Sequence, residues 1–429
     1  MSPRHTALSQ TAGFSGGTAD TRRTPGVRVH ALVGETLRAA GAATLLVTLA
    51  LAPARAEFSP LSMHPEGHGM PTAMMGSRER ALGEGGLAAV TGKGFYLPNV
   101  SRSAFHDRTV FIATIEQDVD WLRDDVSSTR QATNAFPTLG TLIKTKNFGT
   151  FGAYYQQSHL RRFEVHVPQN GSRPEASYLA EGGLYVLGLS WAYAPVSWLG
   201  LGVSQNLSLG RSRFIRPVDF TGIAPPEADN LIDTTLETST QGSYPSVSVT
   251  VRLPGNLDLA ASYTHSATLD VERSQRTNTL GSDPLSDTTG SLPKIIGVGA
   301  AWHPDRRQTI AVDGFYESWS GGGHLNPAWQ VSAGYEFRGS TSPFDNLLER
   351  TAWRAGAGYK VHYLREVPEV FATAGFGMPL GLRGHQLDFA VKYGHRRFDG
   401  NTLFTEDYVK LSASVVGVSV WGQPVRKRR

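Results

Sequence analysis

Short segments in which apolar and polar residues alternate fill most of this chain and restrict its fold more than any other feature. In the segment 199–210, the apolar side chains share one face: Leu199, Leu201, Val203, Leu207 and Leu209. Gln205 interrupts that face, and small or polar residues occupy the opposite one. The pattern recurs in 257–264, 387–394 and 409–421. A period of two residues is that of a β-strand whose two faces meet different surroundings.

One long charge-free stretch stands apart from this pattern. It runs from Ala39 to Ala52 and is followed by Ala54-Arg55-Ala56. Its 14 residues are fewer than the roughly 20 that a membrane-spanning helix needs. An apolar core of this length before an Ala-x-Ala site is typical of a secretory signal peptide. We expect residues 1–56 to be a signal peptide whose translation start lies downstream of Met1, with an uncleaved membrane anchor as the alternative.

An exported chain with alternating strands fits a transmembrane β-barrel, because lipid-facing and lumen-facing residues alternate along each strand. We predict an all-β fold, a 14-stranded antiparallel transmembrane β-barrel over 108–421, with an N-terminal plug (hatch) at 57–107 and a solvated basic tail at 422–429. The predicted strands are 108–117, 138–146, 149–158, 184–194, 197–211, 245–253, 256–269, 294–303, 307–318, 328–337, 351–362, 369–379, 384–397 and 407–421. The chain has no Cys, so such a barrel is held by hydrogen bonds and packing rather than by disulfides.

A soluble β-sandwich would alternate as well, but two features favour the barrel. Trp and Tyr lie near the strand ends, as in the aromatic girdles of membrane barrels: Trp191, Tyr193, Trp198, Tyr263, Trp302 and Trp421. Short connections such as 253–255 alternate with long ones such as 212–244, which is typical of periplasmic turns and extracellular loops. This alternation predicts a short turn between Gly339 and Arg350, but the connection holds about a dozen residues and so breaks the pattern.

Residues 57–107 precede the first strand and alternate weakly. Their apolar content exceeds that of most disordered segments, which favours a plug folded into the lumen over a disordered leader. The plug residues singled out by their backbone freedom or turn chemistry are Gly83, Gly85, Gly86, Pro98 and Asn99.

Three stretches of the chain resemble a known family, the outer-membrane long-chain fatty acid and hydrocarbon transporters of the FadL/TodX type. The Gly-rich stretch from Arg80 to Val90 resembles the plug of that family. The stretch from Leu292 to Pro304 resembles its Leu-Pro to Gly-x-Gly strand entry, and the stretch from Ile310 to Ser320 its Asp to Trp-Ser strand.

The resemblance implies uptake of long-chain fatty acids or other hydrophobic small molecules across the bacterial outer membrane, by a protein that is not an enzyme and has no cofactor. It also implies a first ligand site in the loops 212–244 and 270–293. The candidate ligand-binding residues of the first loop are Arg213, Phe214, Ile215, Arg216, Phe220 and Ile223. The arginines are candidates for holding a carboxylate, and contact with lipopolysaccharide phosphates or plain solvation is the alternative.

A second group of candidate residues could bind Cu(I), which thioether and imidazole ligands suit. They are Met63, His64, His68, Met70, Met74 and Met75. A leader without a role or a contact for hydrophobic ligands explains them as well.

Two other motifs are weak. Gly83, Gly85 and Ala88 have the spacing of a dinucleotide fingerprint without its βαβ context. His385 and His395 lie near Asp388 and Asp399, without a nucleophile that would complete a catalytic site.

The expected partners are hydrophobic small molecules, lipopolysaccharide and outer-membrane lipid, and the barrel-assembly machinery. We expect no nucleic-acid binding and a monomer. The alternative functions are a partner barrel of a secretion or attachment system and a nonspecific porin.

Overall fold

A computed structural model describes residues 68–72, 75–91, 94–123, 128–167, 174–220, 231–278, 281–285, 287–319, 325–342, 344–363, 367–380, 384–398 and 404–419. The predicted signal peptide, Trp421 and the basic tail lie outside these residues. Within them, no helix has both the length and the apolar character to cross a membrane.

Strands dominate the described chain. They are β1 (Met70–Pro71), β2 (Thr109–Arg123), β3 (Ser128–Lys144), β4 (Thr150–Val167), β5 (Glu175–Val196), β6 (Leu199–Asp219), β7 (Leu231–Leu253), β8 (Leu257–Thr264), β9 (Ala267–Thr277), β10 (Gly281–Pro284), β11 (Thr288–Leu292), β12 (Lys294–Trp302), β13 (Gln308–Ser318), β14 (Ala328–Phe337), β15 (Ala352–Val361), β16 (Pro368–Leu380), β17 (His385–Phe398) and β18 (Phe404–Ser419). The helices are α1 (Ser77–Ala81), a 3₁₀ helix (Val100–Phe105) and α2 (Leu347–Arg350).

The sheet closes on itself. Consecutive strands pair antiparallel, and the last strand, β18, pairs with β2 from Ser419↔Thr109 to Thr405↔Arg123. Two of the wall strands are interrupted. One consists of β8 and β9 together, and the other of β10, β11 and β12 together. The short strand β1 is not one of the wall strands. The result confirms the predicted closed barrel of 14 antiparallel strands.

The two faces of each strand meet different surroundings, as the alternation predicts. In β6, Leu201 and Val203 are exposed on the outer wall, while Gly202 and Ser204 are buried inside. Four of the predicted girdle residues, Trp191, Tyr193, Trp198 and Trp302, lie exposed near the short turns, and Tyr263 lies toward the other end. These features place the chain in the bacterial outer membrane.

The strands reach further than the sequence pattern indicates. β5, β6 and β7 contain 22, 21 and 23 residues, about twice the ~9–11 that cross a bilayer. Most of the expected loop 212–244 is therefore strand, paired from Ser212↔Thr238 to Asp219↔Leu231. Alternation fades there because water lies on both sides of these extensions, and the inward–outward contrast in residue type is lost.

One seam of the wall is incomplete. β3 pairs with β4 only from Thr138↔Gln156 to Lys144↔Thr150, although both strands continue beyond that point. In place of β3, the two residues of β1 pair with Leu160 and His159 of β4. In the pairing of β4 with β5, the register shifts between Gln157 and His159, at the point where β1 takes the place of β3.

The outer wall can be tested with a charge placed in the lipid-facing band. We expect Val298→Arg to lower the free energy of unfolding in lipid vesicles by about 2–4 kcal/mol, because the guanidinium would face hydrocarbon. The matched control is Phe148→Arg in an exposed short turn, where the cost is expected to be about 0–1 kcal/mol. Equal costs from urea titrations would contradict the assigned lipid-facing band.

Candidate functional site

Residues 75–91 and 94–106, called the N-terminal segment below, pack against the inner face of the barrel. Nearly all of their side chains are buried, including the charged residues of α1, Arg78, Glu79 and Arg80. A short helix with three charged side chains can be buried only if each charge meets a partner. The partners come from the lumen-facing positions of the wall.

One side of the N-terminal segment is anchored by ion pairs. Arg78 pairs with Glu336 of β14, and Arg80 pairs with Glu116 of β2 at 2.5 Å. Glu84 accepts a hydrogen bond from Nζ of Lys392 at 2.8 Å. These contacts link α1 and the turn after it to strands on both sides of the barrel closure.

The wall continues the same ion network. Glu369 of β16 lies 2.9 Å from Nζ of Lys392 and 2.7 Å from both Nε of Arg396 and Nε2 of His362. Tyr408 donates its hydroxyl to the same carboxylate at 2.5 Å. Glu369 is therefore the most heavily shared anion of the network.

The opposite side of the N-terminal segment uses neutral contacts. The Asn99 amide donates to the carbonyl of Leu87 at 2.7 Å and to the hydroxyl of Thr250 at 2.9 Å. Its oxygen accepts from the backbone N–H of Ser101 at 3.1 Å. Gly202 of β6 leaves room for this turn, because a Cβ there would lie 2.5 Å from the Ser101 nitrogen.

A tight turn after α1 explains the glycines of the segment. Gly83 and Gly86 have φ values of 74° and 103°, which favour glycine. Asp313 of β13 accepts hydrogen bonds from the backbone N–H groups of Gly86 and Leu87. A glycine of β15 leaves room for this turn, because a Cβ on Gly356 would lie 2.2 Å from the Gly83 nitrogen.

An upper chamber lies toward the long strand extensions, with a volume of about 180 Å³. Its apolar and aromatic lining includes Met75, Leu97, Tyr154, Val186, Leu292, Ile295, Phe315 and Trp319. Pro98 also lines it, as do charged residues of the ion network. The chamber is thus amphipathic, with an apolar wall facing an ionic one.

Residues 68–72 cross the lumen near this chamber. The His68 ring stacks on Trp319 with centroids 5.8 Å apart, and its Nε2 lies 3.1 Å from the carbonyl oxygen of Ser291. The Tyr363 hydroxyl donates to the Gly69 carbonyl at 2.9 Å. Together with the pairing of β1 on β4, these contacts fasten the crossing to four parts of the wall.

A lower chamber of about 480 Å³ lies on the other side of α1, toward the short turns. Arg78, Glu79, Glu336, Arg354 and Asp388 are among its charged lining residues. Arg354 ties the wall together there, at 2.6 Å from Asp388 and 3.4 Å from Glu336. The N-terminal segment therefore separates two chambers of different character.

The six predicted ligand residues do not share one surface. Arg213 is exposed and pairs with Glu237 at 3.5 Å, and Arg216 lies over the Tyr178 ring at 5.8 Å. Phe214 contacts the rings of Phe163 and Tyr178. Ile215 and Phe220 are partly buried near the end of β6, and Ile223 lies outside the described residues. Their role in ligand capture stays a prediction.

The predicted copper ligands have other contacts. Met63, His64 and Met74 lie outside the described residues, whereas Met75 packs in an apolar cluster with Leu87. The sulfur of Met70 accepts from Arg396 at 3.8 Å. Within the described part of the chain, no three His, Cys, Asp or Glu side chains lie together as metal ligands. Copper binding stays a hypothesis.

The two histidines considered for catalysis, His385 and His395, do not lie in a common site. His385 accepts from the backbone N–H of Val418 at 3.0 Å. His395 is exposed and lies 2.9 Å from Asp407, while Asp388 is buried on Arg354. Asp399 lies outside the described residues.

Sequence reasoning missed most of the ion network. Glu116, Glu336, Arg354, Glu369 and Lys410 are single charges on the small-residue faces of predicted strands, and that placement was their only signal. Some of their pairs join neighbouring strands, as Arg354 does with Glu336, but Lys410 meets Asp118 only because β18 pairs with β2 at the closure of the barrel.

Comparisons with known proteins agree with this geometry. A family model described as BamG matches residues 45–426. The chain is similar in structure to the toluene transporter TodX of P. putida, at 14% identity and a TM-score of 0.54, with 82% of this chain and 100% of TodX covered.

It is also similar to a FadL homologue from Pseudomonas aeruginosa, at 10% identity and a TM-score of 0.60, with 81% and 99% covered. A third similar structure is CymD, described as a monoaromatic hydrocarbon channel, at 13% identity and a TM-score of 0.55, with 82% and 100% covered. No curated protein matches by sequence. The likeness of fold confirms the FadL/TodX resemblance.

The ion network can be tested at its most shared anion. We expect Glu369→Gln to lower the free energy of unfolding by about 3–5 kcal/mol, because the buried Lys392 and Arg396 would lose a common counter-charge. The control is Glu237→Gln, whose carboxylate pairs with exposed arginines and is expected to contribute about 0–1 kcal/mol. A loss near 1 kcal/mol at Glu369 in denaturant titrations would contradict its central place.

Glu84 makes the anchoring of the segment dependent on pH. Burial would raise the pKa of Glu84, but the Lys392 and Arg80 cations lower it from 4.5 to about 2. A carboxyl with a lowered folded-state pKa stabilises the fold fully above its ordinary pKa and progressively less as the pH falls toward the lowered value. The difference in unfolding free energy between the wild type and Glu84→Gln should therefore be constant above about pH 5 and shrink below about pH 4.

The exposed Glu181→Gln variant serves as the control, and its difference should stay small throughout. A Glu84 difference that grows with acidification would contradict the charge pairing.

Proposed function

The chain belongs to the BamG family, and on that premise together with its FadL-type fold we propose that it carries hydrophobic or amphiphilic small molecules through the outer membrane. The observation that supports this proposal is the upper chamber. Such a route helps apolar solutes because lipopolysaccharide is a barrier to them at the outer leaflet. A barrel that holds them in a protein-lined chamber lets them bypass that barrier.

The size and lining of the upper chamber suit compact ligands. Its volume is about 180 Å³, and an apolar protein cavity of about 150 Å³ holds a benzene ring. Burial against Val186, Leu292 and Phe315 contributes about 0.8 kcal/mol for each CH₂ group removed from water. A long acyl chain would fit only by extending from the chamber toward the strand extensions.

Lys360 offers this ligand a polar contact. The cations Arg80, Lys392, Arg396 and Lys410 of the chamber lining are engaged in ion pairs. Within the described residues, Lys360 has no carboxylate within ion-pair distance, although it lines the same chamber. Glu317 also lines the chamber and competes electrostatically with an incoming carboxylate. We therefore propose that an amphiphile binds with its polar end toward Lys360.

A role as a partner barrel is the second candidate. The N-terminal segment is held by ion pairs on one side and by the Asn99 and Ser101 hydrogen bonds on the other. A segment anchored on both sides is costly to displace, which favours a fixed scaffold over a channel that opens widely. The same anchoring argues against a nonspecific porin. The structures to which this chain is similar are described as transporters and channels, which supports a role other than catalysis.

Filling the upper chamber distinguishes transport from a partner role. We expect Ser246→Trp, which places a large ring in the chamber lining, to raise the Kd for small hydrophobic ligands by about tenfold or more. The control is Val247→Trp, one residue further along β7 on the exposed outer wall, which should leave the Kd unchanged. The Kd is measured by titrating a fluorescent fatty acid and a single-ring aromatic into the purified barrel.

Mass spectrometry of molecules that co-purify with the wild type and the two variants identifies the natural ligand class. No saturable binding of any probe by the wild type, with no co-purifying lipid, would reject transport and leave the partner role.

A further inference from the structure

Two charged side chains that line the upper chamber lie outside the ion network. They are Glu317 of β13 and Lys360 of β15, and both are partly buried. Lys360 is near enough to attract Glu317 electrostatically. Within the described residues, however, neither side chain has an opposite charge at the distance of an ion pair. A partly buried charge without a partner is costly, so both groups are suited to bind a charged ligand.

The other charges of the chamber lining are already paired. The four cations of the ion network meet the remaining carboxylates of the lining, which are Glu84, Glu116 and Glu369. The histidines of the lining also have partners: His362 contacts Glu369, His159 hydrogen-bonds to Ser158, and His265 hydrogen-bonds to Tyr263. One carboxylate and one ammonium group of the described lining therefore remain available.

The crowding of Glu369 explains why Lys360 is left over. Lys360 lies directly opposite Glu369 in the register of β15 and β16. Each oxygen of Glu369 already has two partners, one oxygen Lys392 and Tyr408 and the other Arg396 and His362. Lys360 therefore makes no ion pair with its neighbour across the strands, and its charge stays available to the chamber.

The strand register sets the spacing of the two charges. Strand β14 lies between β13 and β15, and Lys360 is level with Phe315 across Gln330. Glu317 lies one inward position further toward the long strand extensions. Neighbouring strands are about 4.8 Å apart, so the backbones of β13 and β15 are separated by about 10 Å. A carboxylate and an ammonium group that reach in from these two strands leave a gap that a ligand carrying both charges can bridge.

Aromatic residues border the two charges. Phe315 and Trp319 flank Glu317 in the chain and line the same chamber. The Trp319 ring is fixed by stacking on Tyr363 and His68, with ring centroids 4.5 and 5.8 Å away. A ligand whose charged head lies between Glu317 and Lys360 therefore has apolar surface directly beside it.

Given the transport function proposed above, we propose that the upper chamber binds zwitterionic amphiphiles, with the ammonium group of the ligand on Glu317 and its phosphate or carboxylate on Lys360. A simple anion would pair with Lys360 but be repelled by Glu317. A simple cation would pair with Glu317 but be repelled by Lys360. A headgroup with both charges makes charge-assisted hydrogen bonds to both side chains, and its apolar tail packs along the apolar wall of the chamber.

Matched ligands with one octyl tail test the headgroup. The zwitterions are octylphosphoethanolamine and α-aminodecanoic acid, and the references are octyl methyl phosphate, octylammonium and octanol. Each is titrated calorimetrically into the full chain in maltoside micelles, with micelles alone as the blank. We expect the tighter zwitterion to have a Kd about tenfold or more below that of each singly charged reference. Which zwitterion is tighter distinguishes a phosphate from a carboxylate as the bound anion.

Two variants should shift the charge preference in opposite directions. Glu317→Gln should raise the Kd of the zwitterion and of octylammonium by about tenfold and lower that of octyl methyl phosphate. Lys360→Gln should raise the Kd of the zwitterion and of octyl methyl phosphate and lower that of octylammonium. The matched controls are Glu181→Gln and Lys146→Gln, whose exposed charges lie away from the chamber lining and should leave every Kd unchanged.

Unchanged binding of octanol shows that the variants are folded. Equal Kd values for the zwitterions and the singly charged references overturn the zwitterion site and leave the transport function standing. Equal weakening of every charged ligand by both variants overturns it as well, because the side chains would then act only on the structure. Failure of all ligands to bind, octanol included, overturns the transport function and the zwitterion site together.

Discussion

Closure of the β-sheet is the constraint on which the rest of this structure depends. A backbone N–H or C=O group that faces hydrocarbon without a partner costs several kcal/mol, so only closed sheets and helices cross a bilayer. The pairing of β18 with β2 removes both edges of the sheet. It also encloses an interior, because a barrel of this strand number is wider than one that side chains alone fill.

The N-terminal segment fills that interior with charges as well as apolar groups. Burying an ion costs several kcal/mol, which an ion pair offsets only when the geometry is good and further hydrogen bonds are made. Glu369, with its four partners, meets that condition. Such a network adds little net stability over an apolar core, but removing any one member leaves an uncompensated charge. The network therefore specifies one position of the segment.

The buried N-terminal segment separates two chambers that are lined by different types of residue. Aromatic and apolar residues dominate one wall of the upper chamber, whereas arginine and carboxylate groups dominate the lower one. Arg78 and Arg80, two residues apart in α1, face the lower and the upper chamber respectively. One short helix thus divides the lumen into a chamber with an apolar wall and a chamber lined by paired arginine and carboxylate groups.

The sequence by itself determined the barrel, because a pattern with a period of two residues shows which side chains face lipid and which face the lumen. It predicted the wall strands in order, such as 294–303 and 328–337. It did not predict the length of β5 to β7, because beyond the membrane both faces of a strand meet water and the alternation disappears. Only the tertiary structure decided which charges pair, since Arg80 and Glu116, or Glu84 and Lys392, meet only after closure brings distant strands around one segment.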